Sequence, residues 1–297
     1  MNYPRTGPWH DLAHNVYSQF GEDGIVGELL RRLALGHQSD GWCVEFGAWD
    51  GLHLSNTCNL IKNHDYKAVL IEGDRKKYQS LCANFPQDSV YKLCEFIGFE
   101  GESTLDNILL RTPIPKDFDF LSIDIDGCDY YIFASLTHYR PKVVCIEYNP
   151  SIPNEVEFVQ PRNFKVKQGA SAKSLLSLAQ AQGYALAGVT LCNLILVRND
   201  LLPLLLPQQE YSLDDLRDDS SVKMFLFAGY DGSVLSNKPG LFLIWHDFSV
   251  PIADLQALPA SLRVFSSDYS LMRKVAFAVF LWFKYNLDFI KTMRKRF

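Results

Sequence analysis

Between Trp42 and Arg198 the sequence alternates short β-branched or apolar runs with amphipathic helical stretches, and few folds accept that alternation. Five runs carry it: WCVEFG (42–47), KAVLIEG (67–73), SVYKLCEF (89–96), FDFLSIDI (118–125) and PKVVCIEYN (141–149). Each hands over to polar residues or glycine, and several end in acids. The pattern predicts a doubly wound, Rossmann-like α/β fold, whose ligands bind outside the carboxyl ends of the strands. A helix near 170–182, followed by YALAGVT and NLILVRN, predicts an antiparallel pair that closes the sheet. The chain then divides into an N-terminal helical segment (1–40), a cofactor-binding domain (41–200), a lid or accessory segment (201–265) and a basic amphipathic C-terminal helix (266–297).

Composition narrows the class further. A chain of 297 residues with 47% hydrophobic and 21% charged residues suits one large α/β domain with an appendage, and excludes collagen, coiled coil and wholesale disorder. The seven cysteines are scattered with no CxxC pair, so they read as reduced, mostly buried thiols. No signal-peptide pattern opens the chain and no stretch approaches the ~20 apolar residues that span a bilayer. The expected location is the cytoplasm, at the inner face of the membrane if the tail described below binds lipid.

The densest motif is VEFGAWDGLHLSNT, residues 44–57. An apolar strand ends at Glu45, turns through Gly47 and Gly51 and enters a helix near Ser55, which brings backbone close to a ligand. The GxxxG spacing lacks the GxGxxG fingerprint for a pyrophosphate, and so disfavours NAD or FAD. Glu72 ends the next strand, where a carboxylate accepts from both ribose hydroxyls. Glu45 is placed to hold a cofactor ammonium, directly or through water. Each residue also has a plainer reading: a tight βα turn for the glycines, a turn residue for Asp50, and a helix N-cap for Ser55 and Asn56.

Further segments join this motif in a fixed order: YSQFGEDG (17–24), VLIEGD, STLDNIL (103–109), FLSIDIDGCDYYIF (120–133), PKVVCIEYNP and QGASAKSLLSLAQAQGYALAG. Together they resemble the FkbM-type methyltransferases over roughly residues 15–200. That family uses S-adenosylmethionine and often O-methylates sugars in glycan and antibiotic pathways. The resemblance implies a methyltransferase sheet and a cofactor site formed by Gln19, Glu45, Gly47, Asp50, Gly51, Ser55, Asn56, Glu72 and the region of Glu95 and Phe96. It departs from the family at LCNLILVR, where relatives tend to carry a glycine and aromatic residues.

Asp124, Asp126 and Asp129 follow the fourth strand, and Glu147 and Asn149 end the fifth. Two chemistries fit these acids. Asp124, Asp126 and Glu147 can supply hard oxygen ligands to Mg²⁺ or another divalent metal, which would acidify a sugar hydroxyl. Alternatively one carboxylate acts as general base without metal. The plain reading makes Asp126 a turn residue and Asp129 a helix cap. His246, at the end of LFLIWHDFS, is a further candidate base, although a histidine after an apolar strand is more often structural.

The net charge of −5 hides an asymmetry. The last 32 residues hold seven Lys or Arg against two Asp, which leaves about −10 for everything before them. Residues 270–297 read either as a helix lying on an anionic membrane or as one docked on protein, including a second copy in a homo-oligomer. One basic tail on an acidic body is a weak nucleic-acid footprint, and no nucleic acid is expected. The function expected is O-methylation of a sugar or glycan acceptor. The rival is a non-catalytic scaffold or binding subunit that keeps the fold.

Overall fold

The computed structural model describes residues 7–33, 40–206 and 211–285. The chain forms two compact units, Met1–Ser221 and Val222–Phe297. The segment 201–265 set apart in the sequence spans that division.

The first unit is built on seven strands: β1 (Trp42–Phe46), β2 (Lys67–Ile71), β3 (Val90–Leu93), β4 (Phe120–Ile123), β5 (Val143–Glu147), β6 (Tyr184–Val189) and β7 (Asn193–Arg198). All seven runs read as strands from the sequence are strands. Their order is β3-β2-β1-β4-β5-β7-β6, with β1 to β5 parallel and β7 antiparallel to both β5 and β6. The predicted closing pair is therefore β6 and β7. β7 inserts between β5 and β6, with a register shift between Leu186 and Gly188.

Helices cover both faces: α1 (Glu22–Arg32), α2 (Cys58–Asn63), α3 (Arg75–Asn84), α4 (Leu105–Leu109), α5 (Asp129–Ser135) and α6 (Ala172–Ala181). Because strand side chains alternate, each strand feeds two cores. Val44, Val69, Leu121 and Val144 share one core with Ile108 of α4, Ile132 of α5 and Leu175 of α6. Cys43, Ala68, Phe120 and Cys145 share the other with Leu29 of α1, Leu60 of α2 and Leu81 of α3. Each large aliphatic side chain buried this way contributes about 1.5–3 kcal/mol. Five of the seven free cysteines are buried, and those of the strands lie in the second core. Two short helices, α7 (Leu202–Leu205) and α8 (Leu213–Leu216), end the unit, the latter with a Ser212–Asp215 capping box.

Buried acids staple the strand connections. Asp119 accepts from the Trp42 N–H at 2.9 Å and from Lys142 Nζ at 2.8 Å, which joins the amino ends of β1, β4 and β5. Asp106 of α4 accepts from Thr137 N–H, Thr137 Oγ1, His138 N–H and Tyr139 N–H at 2.7–3.1 Å. One carboxylate thus satisfies the turn between α5 and β5.

The second unit holds two hairpins, β8 (Leu226–Ala228) with β9 (Val234–Ser236) and β10 (Gly240–Leu243) with β11 (Phe248–Pro251), followed by α9 (Leu271–Tyr285). Residues 286–297 of the predicted C-terminal helix lie outside the described residues, as do 1–6 and 34–39 of the N-terminal segment.

Asp106→Ala strands three backbone donors, and is expected to cost about 2–3 kcal/mol, read as a lower urea midpoint at unchanged slope. Asp106→Asn keeps acceptor oxygen and is expected to lose less.

Candidate active site

At the carboxyl end of β1 the chain leaves the sheet through Gly47, whose φ is +69°. A Cβ there would lie 2.4 Å from the carbonyl oxygen of Asp124, so only glycine lets the β1 turn rest on the end of β4. Gly51, at φ +74°, is similarly pressed against the Phe85 ring, which a Cβ would approach to 2.4 Å. The loop between these glycines and α2 is organised by Glu45. Its carboxylate accepts from Ser55 Oγ and Thr57 Oγ1, both at 2.6 Å, and from the Asn56 N–H at 2.9 Å. Burial pushes this carboxyl up, and the three donors oppose the shift. Asn56 Nδ2 reaches across to Ser122 Oγ of β4 at 3.1 Å.

The plainer readings hold for part of this loop. Asp50 Oδ1 accepts from the Leu52 and His53 N–H groups at 2.9 Å, as a turn residue does. Against the opposing effect of partial burial, those donors hold its carboxyl below the usual range. α2 begins at Cys58, later than expected, and Ser55 Oγ accepts the Cys58 N–H at 3.0 Å in the manner of a cap.

Glu72, just past β2, is buried, and accepts from the Trp49 N–H at 2.8 Å and the Asp74 N–H at 2.7 Å. Each oxygen of a carboxylate keeps a second lone pair for a ligand. Beside it the Phe96 ring, 78% exposed, lies directly on Gly73, where a Cβ would come within 2.3 Å. Trp49 stands on the other side at φ +50°, half-exposed, with Lys77 Nζ 4.1 Å from its ring centre. Glu95 is engaged by Arg111. The Gln19 side chain is exposed, and the residue's backbone carbonyl accepts from Asn15 Nδ2 at 2.8 Å.

The acids after β4 and β5 do meet. Asp124, Asp126 and Glu147 each offer an oxygen, and the three lie within 4.8 Å of one another. Asp126 has a left-handed backbone, φ +56°, which turns its side chain back toward its neighbours. Asp129 accepts from the Ile125 and Gly127 N–H groups at 2.9 Å and so fixes that turn from the first residue of α5. Asp124 is exposed at the carboxyl edge of the sheet. Desolvation first, then the charges of Asp129 and Asp126, push its carboxyl up to about 7. Burial first, then the charges of Asp124, Asp129 and Asp126, push the Glu147 carboxyl up as well.

Three residues of this layer gave no separate signal in the sequence. Asp23 of α1 is 4% exposed; Oδ2 accepts from the Val16, Tyr17 and Ser18 N–H groups at 2.7–2.8 Å, while Oδ1 has no partner. Its charge is felt at Glu45. Asn193 pairs with Glu147 across β7 and β5, so the two side chains share a face. Its Nδ2 donates to Glu22 Oε1 at 3.1 Å, which fixes the amide, and its buried Oδ1 is unpartnered. Glu22, the third, is fully buried and also accepts from Thr190 Oγ1. A motif containing Glu22 and Asp23 was visible, but the pairing with β7 was not. His246 is exposed in a single helical turn, Ile244–His246, of the second unit. Asn149 is spent on its own turn, accepting from Ser151 and donating to Gln168. Tyr148 is core, with its hydroxyl donating to Thr190.

This sheet order, five parallel strands closed by an antiparallel pair, with acids and glycine turns at its carboxyl edge, is a doubly wound, Rossmann-like α/β fold. Within it, residues 101–186 match the methyltransferase FkbM domain. No curated protein matches the chain in sequence. Among solved structures it is similar to a Galdieria sulphuraria protein assigned as a sarcosine dimethylglycine methyltransferase, at 13% identity over 55% of this chain and 60% of that one, TM-score 0.36. It is also similar to M. capricolum TrmK in complex with S-adenosylhomocysteine, at 14% over 58% and 68%, TM-score 0.36. A third is CalS10, an amino pentose methyltransferase from Micromonospora echinaspora, at 10% over 62% and 99%, TM-score 0.38. The chain spans 60% of the length of the first of these.

A carboxyl raised in the folded state binds its proton more tightly there than in the unfolded chain. The stability it contributes is complete below the ordinary carboxyl range and is lost as pH rises toward the folded value. The ligand-free protein is therefore expected to lose stability as pH rises between about pH 4 and 7, by an amount that solvent screening at the exposed Asp124 reduces. Urea midpoints across that range test this, and Asp124→Asn is expected to flatten the profile.

Proposed function

We propose that the chain transfers a methyl group from S-adenosylmethionine to a hydroxyl of a sugar or glycan. The observation that carries this reading is the contact of the Gly47 turn with Asp124, which sets a cofactor-type loop directly against a cluster of carboxylates. When bound, the cofactor supplies an electrophilic methyl group on a sulfonium.

The residues present fit such a ligand. Glu72 would accept from ribose hydroxyls, with Phe96 on Gly73 as a flat wall for adenine. The unpaired Asp23 oxygen would take the ammonium, beside the loop that Glu45 holds. An acceptor hydroxyl gains the methyl and loses its proton, and Asp124 takes that proton. A carboxyl shifted to about 7 is matched to that task near neutral pH. Holding the acceptor oxygen in line is the rest of what the reaction asks.

A second reading adds a divalent cation among Asp124, Asp126 and Glu147. It is favoured by their mutual approach, since oxygens ligating Mg²⁺ or Ca²⁺ at roughly 2.0–2.6 Å from the ion lie at most about 5 Å apart. The ion would acidify the acceptor hydroxyl.

Calorimetric titration with S-adenosylmethionine is expected to give one site, weakened at least tenfold, or about 1.4 kcal/mol, by Glu72→Ala. Absence of binding would leave the scaffold reading. Asp124→Asn is expected to lower kcat roughly 10²–10⁴-fold while cofactor affinity stays within a few-fold. Turnover that survives EDTA without added metal would remove the cation and keep the carboxylate base.

A further inference from the structure

α9 is apolar on both of its sides. Inward, Ala278 and Leu281 are buried within the second unit, and Phe277 meets the Tyr269 ring. Outward, Met272, Val275, Val279, Trp282 and Phe283 are exposed, Met272 by 83% and Phe283 by 73%. At about 100° per residue these five fall within an arc about 100° wide, turned away from the buried side. No acidic residue lies anywhere in Leu271–Tyr285. An exposed stripe of this kind marks a surface made to be covered.

Charge identifies what covers it. From residue 222 onward the sequence holds ten Lys and Arg against five Asp, and the residues before it are net acidic by about ten charges. Arg273 and Lys284 lie to one side of the apolar stripe, and Lys291, Arg294, Lys295 and Arg296 follow it in the sequence. A negatively charged surface therefore attracts this end of the chain and repels the rest. The fifteen described residues of α9 span about 22 Å, short of the ~30 Å hydrocarbon layer, and no described helix is long and apolar enough to cross a membrane, which suits α9 to lying along the interface. Trp282 and Tyr285 are side chains suited to the boundary between headgroups and acyl chains.

We infer that α9 is a membrane-surface helix, and that the second unit seats the enzyme on anionic phospholipid with Met272, Val275, Val279 and Phe283 among the acyl chains. The inference does not depend on the methyl-transfer reading.

Full-length protein is tested by flotation with vesicles of phosphatidylcholine alone and of phosphatidylcholine mixed with phosphatidylglycerol. It is expected to float with the mixed vesicles, at least tenfold more than with the neutral ones, and to be released as salt is raised. Val279→Asp and Phe283→Asp replace outward side chains, and are expected to abolish flotation while the thermal transition and S-adenosylmethionine binding stay as in the parent. Failure to float at low salt would overturn the inference, as would flotation indifferent to both substitutions. A concentration-dependent dimer that those substitutions dissolve, without any vesicle binding, would overturn it and assign the face to a second copy of the chain.

Discussion

The candidate site depends on the buried carboxylate of Glu45. A strand that ends on an acid inside the protein must supply that acid with donors, because an unpaired buried charge costs several kcal/mol. Ser55, Asn56 and Thr57 meet the demand within one short stretch, and to do so the chain between them and Phe46 must fold back tightly over the sheet edge. The glycines at 47 and 51 are the positions where that folding back presses backbone against Asp124 and against Phe85. One electrostatic requirement thereby fixes a loop, a helix start and the distance between two strand ends.

The order of the strands explains why the ligand groups divide as they do. β1 lies centrally, with β2 and β3 on one side and β4 and β5 on the other. Connections from β1 and β4 depart on opposite sides, which opens a crevice at their carboxyl ends. Toward β2 the crevice offers Glu72 and aromatic surfaces, suited to a nucleoside. Toward β5 it offers Asp124, Asp126 and Glu147, suited to cations and to proton transfer. Asp129, Asp50 and Asn149 resemble these residues in type, and each accepts from N–H groups of its own turn, which makes it part of the frame as well.

Much of this was legible in the sequence. The seven strands announced themselves through β-branched or apolar runs, several of which end at acids, and the convergence of Asp124, Asp126 and Glu147 followed from their places at neighbouring strand ends. The layer formed by Glu22, Asp23 and Asn193 was not legible, because Glu22 and Asn193 are 171 residues apart and meet only when α1 packs over β7. For the same reason the YSQFGEDG motif drew attention to Gln19, whose side chain is exposed, instead of to Asp23, which is buried four positions on. Composition foretold the apolar, basic character of the C-terminal helix, whereas which side chains face outward depended on the helical turn Ala260–Leu262 and Tyr269, which meet its inner side.

The carboxylates gathered around Asp124, whose own carboxyl is pushed up to about 7, make the site a reservoir for a proton near neutral pH. Any cation that settles among these carboxylates, whether a metal or a charged group of a ligand, must evict it. The heat of such binding then includes the ionisation enthalpy of whatever buffer receives the proton, so affinity becomes linked to pH and the apparent enthalpy in phosphate differs from that in Tris.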